Sequence, residues 1–279
     1  MTTIKELLAD GENSLTTSDS AQLDSEILLA KAVEKPRSWL YGWPEHVPTE
    51  TEQAIFLQLL RRREKGEPVA YLTGKREFWS LELKVNEHVL IPRPETELLV
   101  EKSLELIGAA AKARVADLGT GSGAIAMALA TERPAWEILV TDISPEALSL
   151  ALENATELKL HNVQFFLGNW LKTLEGKKFD AIASNPPYIE AGDKHLTEGD
   201  VRFEPELALV SGKDGLDAIR QIARDSINCL TRDGWLLLEH GFDQGDRVRQ
   251  ILIDSGYSEI ETFKDLAGHE RVSVGSRKP

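Results

Sequence analysis

The run Asn185–Tyr188, with the sequence Asn-Pro-Pro-Tyr, combines residue types in an order that could do chemistry. It follows an apolar segment, residues 179–184, whose composition predicts a buried strand. Two consecutive prolines lack N–H groups and fix φ, so the chain must leave this strand stiff and extended. Because ligands of open α/β sheets bind at the carboxyl ends of the strands, we expect Asn185 beside a substrate.

The side chains of this run suit a planar –NH₂ group. The Asn185 amide oxygen and the following proline carbonyl offer two acceptors, and the Tyr188 ring offers a face for stacking. Accepting both N–H bonds favours rehybridisation of the nitrogen toward sp³, so its lone pair can attack an electrophilic methyl group. This help is greatest in the transition state, where it accelerates the reaction. The alternative is an ordinary turn, because Asn-Pro pairs are common turn formers.

A glycine-rich loop, Gly119–Gly123, lies between a short apolar segment and a helical pattern. Glycines permit positive φ and let a ligand approach the backbone, and the amides of the following helix can bind an anion. Gly119, Gly121 and Ala124 also match the dinucleotide-binding pattern. Asp142, about 20 positions on, could bind ribose hydroxyls in either case. Taken alone, the loop predicts only a nucleoside cofactor.

These residues need a sheet to bring them together. From residue 114 onward, apolar segments alternate with helical patterns, which predicts an α/β fold with a parallel sheet and helices on both faces. The segment from about 186 to 213 is too long and too rich in Pro and Gly for a routine connection, so it predicts a functional loop. The predicted strands are 114–118, 137–140, 163–167, 179–184 and 235–239, with closing strands near 257–263 and 270–275.

The first 75 residues show apolar residues at helical spacing and no strand pattern, which predicts a small all-helical domain. Within it, Thr49 and Glu52 predict a capping box. Residues 76–92 change to an alternating pattern and predict a β-hairpin linker that turns at Asn86–Glu87. The predicted domains are therefore 1–75, the linker 76–92, and 93–279.

The composition narrows the classes of partner. The chain has 279 residues, and 32 basic against 46 acidic side chains give a formal net charge of −14. That charge disfavours broad binding to nucleic-acid phosphates. A lone cysteine, Cys229, excludes an internal disulfide framework and fits a reducing cytosol. We find neither a membrane-spanning apolar run nor a signal-peptide start, so we expect a cytoplasmic protein with no membrane partner.

The combination of motifs is more specific than any one of them. A glycine loop after the first strand, an acid after the second and Asn185–Tyr188 after the fourth resemble class I S-adenosylmethionine-dependent methyltransferases that act on planar nitrogen. Further runs resemble the family that methylates N5 of a glutamine in peptide chain release factors. The resemblance covers essentially the whole chain, including its helical start. The runs that carry it are Arg76–Trp79, Ile91–Glu97, Asn185–Ile189 and Val201–Pro205.

The resemblance implies a Rossmann-like methyltransferase domain with a mostly parallel seven-stranded sheet, and a helical N-terminal domain that docks on the release factor. It implies that Gly119–Gly123 wrap the methionine part of S-adenosylmethionine, that Asp142 holds the ribose and that Trp170 packs beside the adenine. Asn185 would touch both cofactor and substrate, and Asn185–Tyr188 would bind the glutamine of the Gly-Gly-Gln motif. S-adenosylhomocysteine is the implied product.

The site residues expected on this basis form three overlapping sets, and no metal site is expected. The catalytic set is Asn185, Pro186 and Tyr188. The cofactor-binding set is Gly119, Thr120, Gly121, Ser122, Gly123, Asp142, Trp170 and Asn185. The substrate-binding set is Asn185, Pro186, Pro187 and Tyr188.

Simpler interpretations stay open for several of these positions. Trp170 could be an ordinary core aromatic, Asp142 could only cap the next helix, and Glu204 could be a loop surface charge. His240 is predicted to be structural. Asn169 stands where related enzymes often carry an acid that accepts from the adenine amino group, although an Asn carbonyl can still accept. No general base is evident, and the proton lost from the product can pass to water.

The sequence therefore predicts a monomeric protein-(glutamine-N5) methyltransferase that acts in translation termination and binds no nucleic acid directly. The rival enzyme is an adenine-N6 nucleic-acid methyltransferase, because adenine presents the same –NH₂ geometry. The acidic chain and the absence of an evident target-recognition domain count against it. A third hypothesis is a catalytically inactive binding module, which failure to bind S-adenosylmethionine would support.

Overall fold

The computed structural model of this chain describes residues 2–108 and 112–278. Met1 and Pro279, which bound the predicted domains, lie outside the described residues. The chain divides into two units: Met1–Lys75 with Thr197–Phe203, and Arg76–Leu196 with Glu204–Pro279. In the described part of the chain, no helix has the length and apolarity needed to cross a membrane.

The first unit is built from helices that bury one apolar face each. Its core includes Ile4, Leu28 and Phe56, all fully buried. The capping box predicted at Thr49 and Glu52 is confirmed, because the Thr49 hydroxyl accepts from the Glu52 N–H and the Glu52 carboxylate accepts from the Thr49 N–H. The helices are α1 (Ile4–Ser14), α2 (Ala21–Ala32), α3 (Arg37–Gly42), α4 (Glu50–Glu64) and α5 (Val69–Thr73).

The segment Thr197–Phe203 belongs to this helical unit although it is distant in sequence. Arg63 donates to Asp200 Oδ1 over 2.9 Å and to Asp24 Oδ2 over 2.8 Å. Arg202 donates to the Lys65 carbonyl over 2.8 Å. Part of the long loop predicted at 186–213 is thus fixed by charged contacts within the helical unit.

A two-stranded sheet follows, formed by β1 (Lys75–Phe78) and β2 (Leu81–Lys84). The predicted hairpin is present, but the predicted turn at Asn86–Glu87 is wrong. The chain turns at Trp79–Ser80, where both residues have positive φ, of 53° and 57°. Positive φ at both central residues is the conformation that joins paired strands with the correct twist.

Tertiary contacts stabilise the turn at Trp79, a residue type that rarely adopts positive φ. The Trp79 N–H donates to Glu97 Oε1 over 2.8 Å, and its indole N–H donates to Glu132 Oε1 over 2.9 Å. These two bonds offset the strain of a left-handed tryptophan. Asn86 instead accepts the His88 N–H on its side chain, which bends the chain after β2 has ended.

The second unit contains a seven-stranded sheet in the order β5-β4-β3-β6-β7-β9-β8. Strand β9 runs antiparallel to β7 and β8, and the other neighbours are parallel. The predicted mostly parallel α/β fold is confirmed. The strands are β3 (Arg114–Leu118), β4 (Glu137–Asp142), β5 (Val163–Leu167), β6 (Phe179–Ser184), β7 (Leu230–Glu239), β8 (Ser258–Lys264) and β9 (Glu270–Ser276). The helices are α6 (Glu97–Ile107), α7 (Ala124–Glu132), α8 (Pro145–Glu157), α9 (Asp217–Ser226) and α10 (Gly245–Asp254).

The register of the sheet assembles the site. Leu118, at the end of β3, pairs with Thr141 of β4 on one side and with Ser184 of β6 on the other. The residues that follow these strands therefore emerge side by side at one edge. The chain order reverses between β3 and β6, which is the switch point where open α/β sheets form their ligand crevice.

Candidate active site

A cavity of about 500 Å³ lies at this edge of the second unit. It brings together most of the site residues predicted from the sequence. Gly123, Pro186 and Tyr188 do not line it. The predicted residues that do are Gly119, Thr120, Gly121, Ser122, Asp142, Trp170, Asn185 and Pro187.

The glycine loop lines the cavity with backbone. Gly119 and Gly121 adopt φ of +69° and +55°. The Gly119 and Thr120 amides donate to one carbonyl of β4 over 2.8 and 3.0 Å, which fixes the loop to the sheet. A Cβ on Gly119 would lie 2.9 Å from Trp170 Cζ3, so only glycine lets the indole lie against the loop. Gly123 has another use, because a Cβ there would lie 2.8 Å from Met127 Cε in the adjacent helix.

Asp142 braces the loop and lines the cavity. Its Oδ2 accepts the Gly121 N–H over 2.9 Å, and its Oδ1 accepts the Ser144 N–H over 2.9 Å. Burial raises the pKa of this carboxyl above its ordinary value, while the backbone N–H groups oppose that shift. The cap of α8 is the Ser144 hydroxyl, which accepts the Ala147 N–H. Helix capping alone therefore does not account for Asp142.

Asp117 is a second carboxyl, fully buried beneath the loop. Its Oδ2 accepts the Thr120 hydroxyl over 2.6 Å, and its Oδ1 has no hydrogen-bond partner among the described residues. Burial raises the pKa of Asp117 to about 7, and the nearby Asp142 charge adds to the shift. The loop thus covers an acid that is half protonated near neutral pH.

Asn169 and Trp170 line the cavity on the side that follows β5. Asn169 Oδ1 is buried and has no hydrogen-bond partner within the described chain. A buried carbonyl oxygen without a donor is destabilising, so this atom suits a ligand N–H. This neutral oxygen stands where, by the resemblance, related enzymes often carry an acid, and it is available to accept as the sequence analysis allowed.

Asn185 presents a second unused acceptor. Its Nδ2 donates to Thr96 Oγ1 over 3.1 Å, while its Oδ1 is buried and has no partner among the described residues. Because Asn185 lines the cavity, the acceptor suits a donor brought by a ligand. Of the two prolines that follow, Pro187 lines the cavity and Pro186 is buried behind it.

Tyr188 packs against the apolar core of the sheet. Its hydroxyl donates to Glu239 Oε1 over 3.3 Å, and its carbonyl accepts from Gln244 Nε2 over 2.9 Å. Burial raises the pKa of Tyr188 far above its ordinary value, so the phenol stays neutral. Stacking of its ring on a substrate stays a prediction.

Sequence reasoning missed the groups that support Asn185. Thr96 makes no side-chain cap for α6 and instead contacts Asn185. Glu239, fully buried at the end of β7, accepts from Tyr188. No local pattern links positions 96, 185 and 239, and only the resemblance singled out the run that contains Thr96.

Two further predictions have clear outcomes. The interpretation of Glu204 as a loop surface charge is wrong: its side chain is buried, accepts the Ile91 N–H over 3.2 Å and pairs with Arg93 over 2.6 Å. The structural role predicted for His240 agrees with its position, because its ring nitrogens contact the Gly241 carbonyl and the Ser273 hydroxyl in the core.

Comparison with known proteins matches both parts of the chain. The PrmC N-terminal domain family matches residues 6–74, and the methyltransferase small domain family matches residues 94–200. A release factor glutamine methyltransferase of Pseudomonas aeruginosa is 52% identical over 275 residues, 99% of this chain and 99% of that protein. A protein of the same name from Vibrio cholerae is 52% identical over 262 residues, 94% of this chain and 91% of its own.

Solved structures share the fold at much lower identity. A methyltransferase from Pyrococcus furiosus aligns with a TM-score of 0.54 and 19% identity, over 71% of this chain and 90% of that one. The hMettl16 catalytic domain, solved in complex with MAT2A 3′UTR hairpin 1, aligns with a TM-score of 0.59 and 16% identity, over 86% and 87%. Similarity at this level concerns the fold alone.

Proposed function

This chain belongs to the release factor glutamine methyltransferase family, and we propose that it methylates the N5 amide nitrogen of the glutamine in the Gly-Gly-Gln motif of class 1 peptide chain release factors, with S-adenosylmethionine as methyl donor. The observation that carries this proposal is the buried Asn185 Oδ1 in the cavity wall, which has no hydrogen-bond partner among the described residues. A primary amide of a glutamine side chain brings the N–H donor that this oxygen lacks.

The other wall of the cavity fits the donor. Asn169 Oδ1, which has no partner among the described residues, would accept from an adenine amino group, and Asp142, which lines the cavity, would accept from ribose hydroxyls. The Gly119–Ser122 backbone would hold the methionine part, and Trp170 would pack beside the base. When bound, S-adenosylmethionine supplies a methyl group on a sulfonium, a reactive electrophile with a neutral leaving group.

The chain's own contribution is to activate and position the amide. An amide nitrogen is a poor nucleophile because its lone pair is delocalised into the carbonyl. Asn185 Oδ1 would accept one of its N–H bonds, which favours the pyramidal nitrogen of the transition state. The second acceptor expected from the sequence, the Pro186 carbonyl, belongs to a residue that does not line the cavity. Transfer would form the N–C bond and break the S–C bond of the donor, and the N–H proton of the amide would pass to water. Fixed positioning supplies much of the remaining rate.

We also propose how the enzyme meets its partner and in which compartment it acts. The helical unit would dock on the body of the release factor, and it exposes the large aromatic side chains Tyr41 and Trp43, each about 60% exposed. The enzyme would act as a monomer in the cytoplasm, without contacting nucleic acid directly, in line with its charge of −14. The names of the relatives do not favour the adenine-N6 alternative.

The test is a transfer assay with S-adenosylmethionine labelled on the methyl group. The acceptors are a release factor with Gly-Gly-Gln and the same factor with that glutamine changed to glutamate, which keeps the length and removes the –NH₂. We expect label on the first and none on the second. Label on both would place the methyl elsewhere, and label only on added DNA or RNA would replace the proposal with its rival.

A further inference from the structure

The orientation of the Asn185 amide is a choice between two states of nearly equal shape. Rotation by 180° exchanges the carbonyl oxygen and the –NH₂ group, and only one state presents an acceptor to the cavity. The structure makes this choice through Thr96, because Asn185 Nδ2 donates to Thr96 Oγ1 over 3.1 Å. The functional state of Asn185 therefore depends on which way the Thr96 hydroxyl points.

Glu239 is a buried carboxyl near this pair. Its Oε1 accepts from the Tyr188 hydroxyl over 3.3 Å, and its Oε2 has no hydrogen-bond partner among the described residues. Burial raises the pKa of this carboxyl to about 7. Other groups act on the same carboxyl: the Tyr188 hydroxyl and Arg271 stabilise its charge, and Glu95 opposes it.

The backbone that carries Thr96 is held independently of Asn185. Thr96 ends the short 3₁₀ turn Pro94–Thr96, whose first residue has a fixed φ. The Thr96 N–H donates to the Arg93 carbonyl over 3.1 Å, and the Arg93 guanidinium pairs with buried Glu204 over 2.6 Å. The hydroxyl is thus presented from a braced segment, as a positioning group must be.

We propose that Thr96 is a positioning residue, which holds Asn185 with its carbonyl oxygen toward the cavity and so selects acceptor substrates that bring an N–H donor. This inference rests on the proposed function and assigns the orientation step to a residue outside the Asn185–Tyr188 run.

The decisive experiment compares Thr96→Val, Thr96→Ser and Thr141→Val in the release factor assay. Valine keeps the shape of threonine and removes the hydroxyl, whereas serine restores it. Thr141→Val is the matched control, because Thr141 is also fully buried but its hydroxyl has no hydrogen-bond partner within the described residues. S-adenosylmethionine binding by calorimetry and the melting temperature establish that each variant is folded.

We expect Thr96→Val to lower kcat about 10- to 100-fold, the effect of one misdirected hydrogen bond near the reacting atom, with KM for the release factor changed less than about threefold. Thr96→Ser should recover most of kcat, and Thr141→Val should match the wild type. Wild-type kcat in Thr96→Val, or a loss that serine does not rescue, would overturn the positioning role. An inactive wild type would instead refute the proposed function.

Discussion

The two walls of the cavity are built in different ways. The glycine-loop wall, Gly119–Ser122 with Asp142, is formed largely by backbone whose conformation the local sequence dictates. The Asn185 wall, formed by Asn185, Pro187 and Thr96, depends on the direction of one side-chain amide. The residue that directs this amide is separated from it by 89 positions.

Because they are built differently, the two walls suit different functions. A backbone wall can serve any reaction that uses the same cofactor, because amides and positive φ do not depend on the substrate. A side-chain wall can be adapted to one acceptor chemistry by changing the partners of a single amide. Changes on the first wall should therefore affect cofactor binding, and changes on the second should affect turnover.

The largest effect is expected for Asn185→Ala. It removes the proposed acceptor for the substrate amide, and we expect kcat to fall by about a thousandfold or more, as for other donors and acceptors that act in the transition state. The fold should remain, since the lost oxygen has no partner among the described residues. Single-turnover kinetics beside calorimetry of S-adenosylmethionine would measure both. Turnover near the wild-type rate would remove Asn185 from the mechanism.

Gly119→Ala should act on the other wall. Its Cβ would lie 2.9 Å from the Trp170 ring at a φ of +69°, so both loop and indole must shift. We expect the Kd of S-adenosylmethionine to rise about 100-fold, from backbone strain and displacement of the ring. The control is Gly121→Ala, which has a similar φ but no atom within 4 Å of the added Cβ. Equal losses in both variants would assign the effect to strain alone.

Glu204→Gln should have a smaller effect on the Asn185 wall. It keeps an acceptor for the Ile91 N–H but removes the charge that pairs with Arg93. Loosening the segment before Thr96 should lower kcat about tenfold with little change in cofactor affinity. Glu105→Gln, which weakens an exposed pair with Lys102, should leave the rate unchanged. If cofactor affinity fell instead of kcat, the two walls would not be independent.

Asp117→Asn should produce the smallest change, in stability. Burial raises the pKa of Asp117 from 3.8 to about 7, so its contribution to folding is fully present below pH 4 and is lost as the pH rises to about 7. The neutral variant should therefore melt a few degrees higher than the wild type at pH 8 and at the same temperature near pH 4. A constant difference across this range would mean that Asp117 is not the titrating group.

Local sequence was sufficient for most of the fold. The strands at 114–118, 163–167 and 179–184 were predicted with the bounds that the structure shows. The first and last are short apolar runs because they are buried inside the parallel sheet, whereas 163–167 forms its edge. The predicted strand 235–239 is longer, beginning at Leu230, and its first residues include the polar run 231–233, which carries no apolar pattern. The hairpin turn was misplaced because Glu97 and Glu132 stabilise a tryptophan in a turn conformation.

The residue types and their order were enough to predict the elements, the order of the motifs and hence the cavity wall made of backbone, since glycine permits positive φ and proline fixes φ wherever they occur. The pairs of side chains that meet across the cavity depend on the folded sheet. The tertiary structure buried Glu204 and turned Tyr188 toward Glu239. It also placed Thr96 against Asn185. Hydrogen-bond direction between such residues depends on distances and burial that the folded sheet creates, and no local pattern of residues records them.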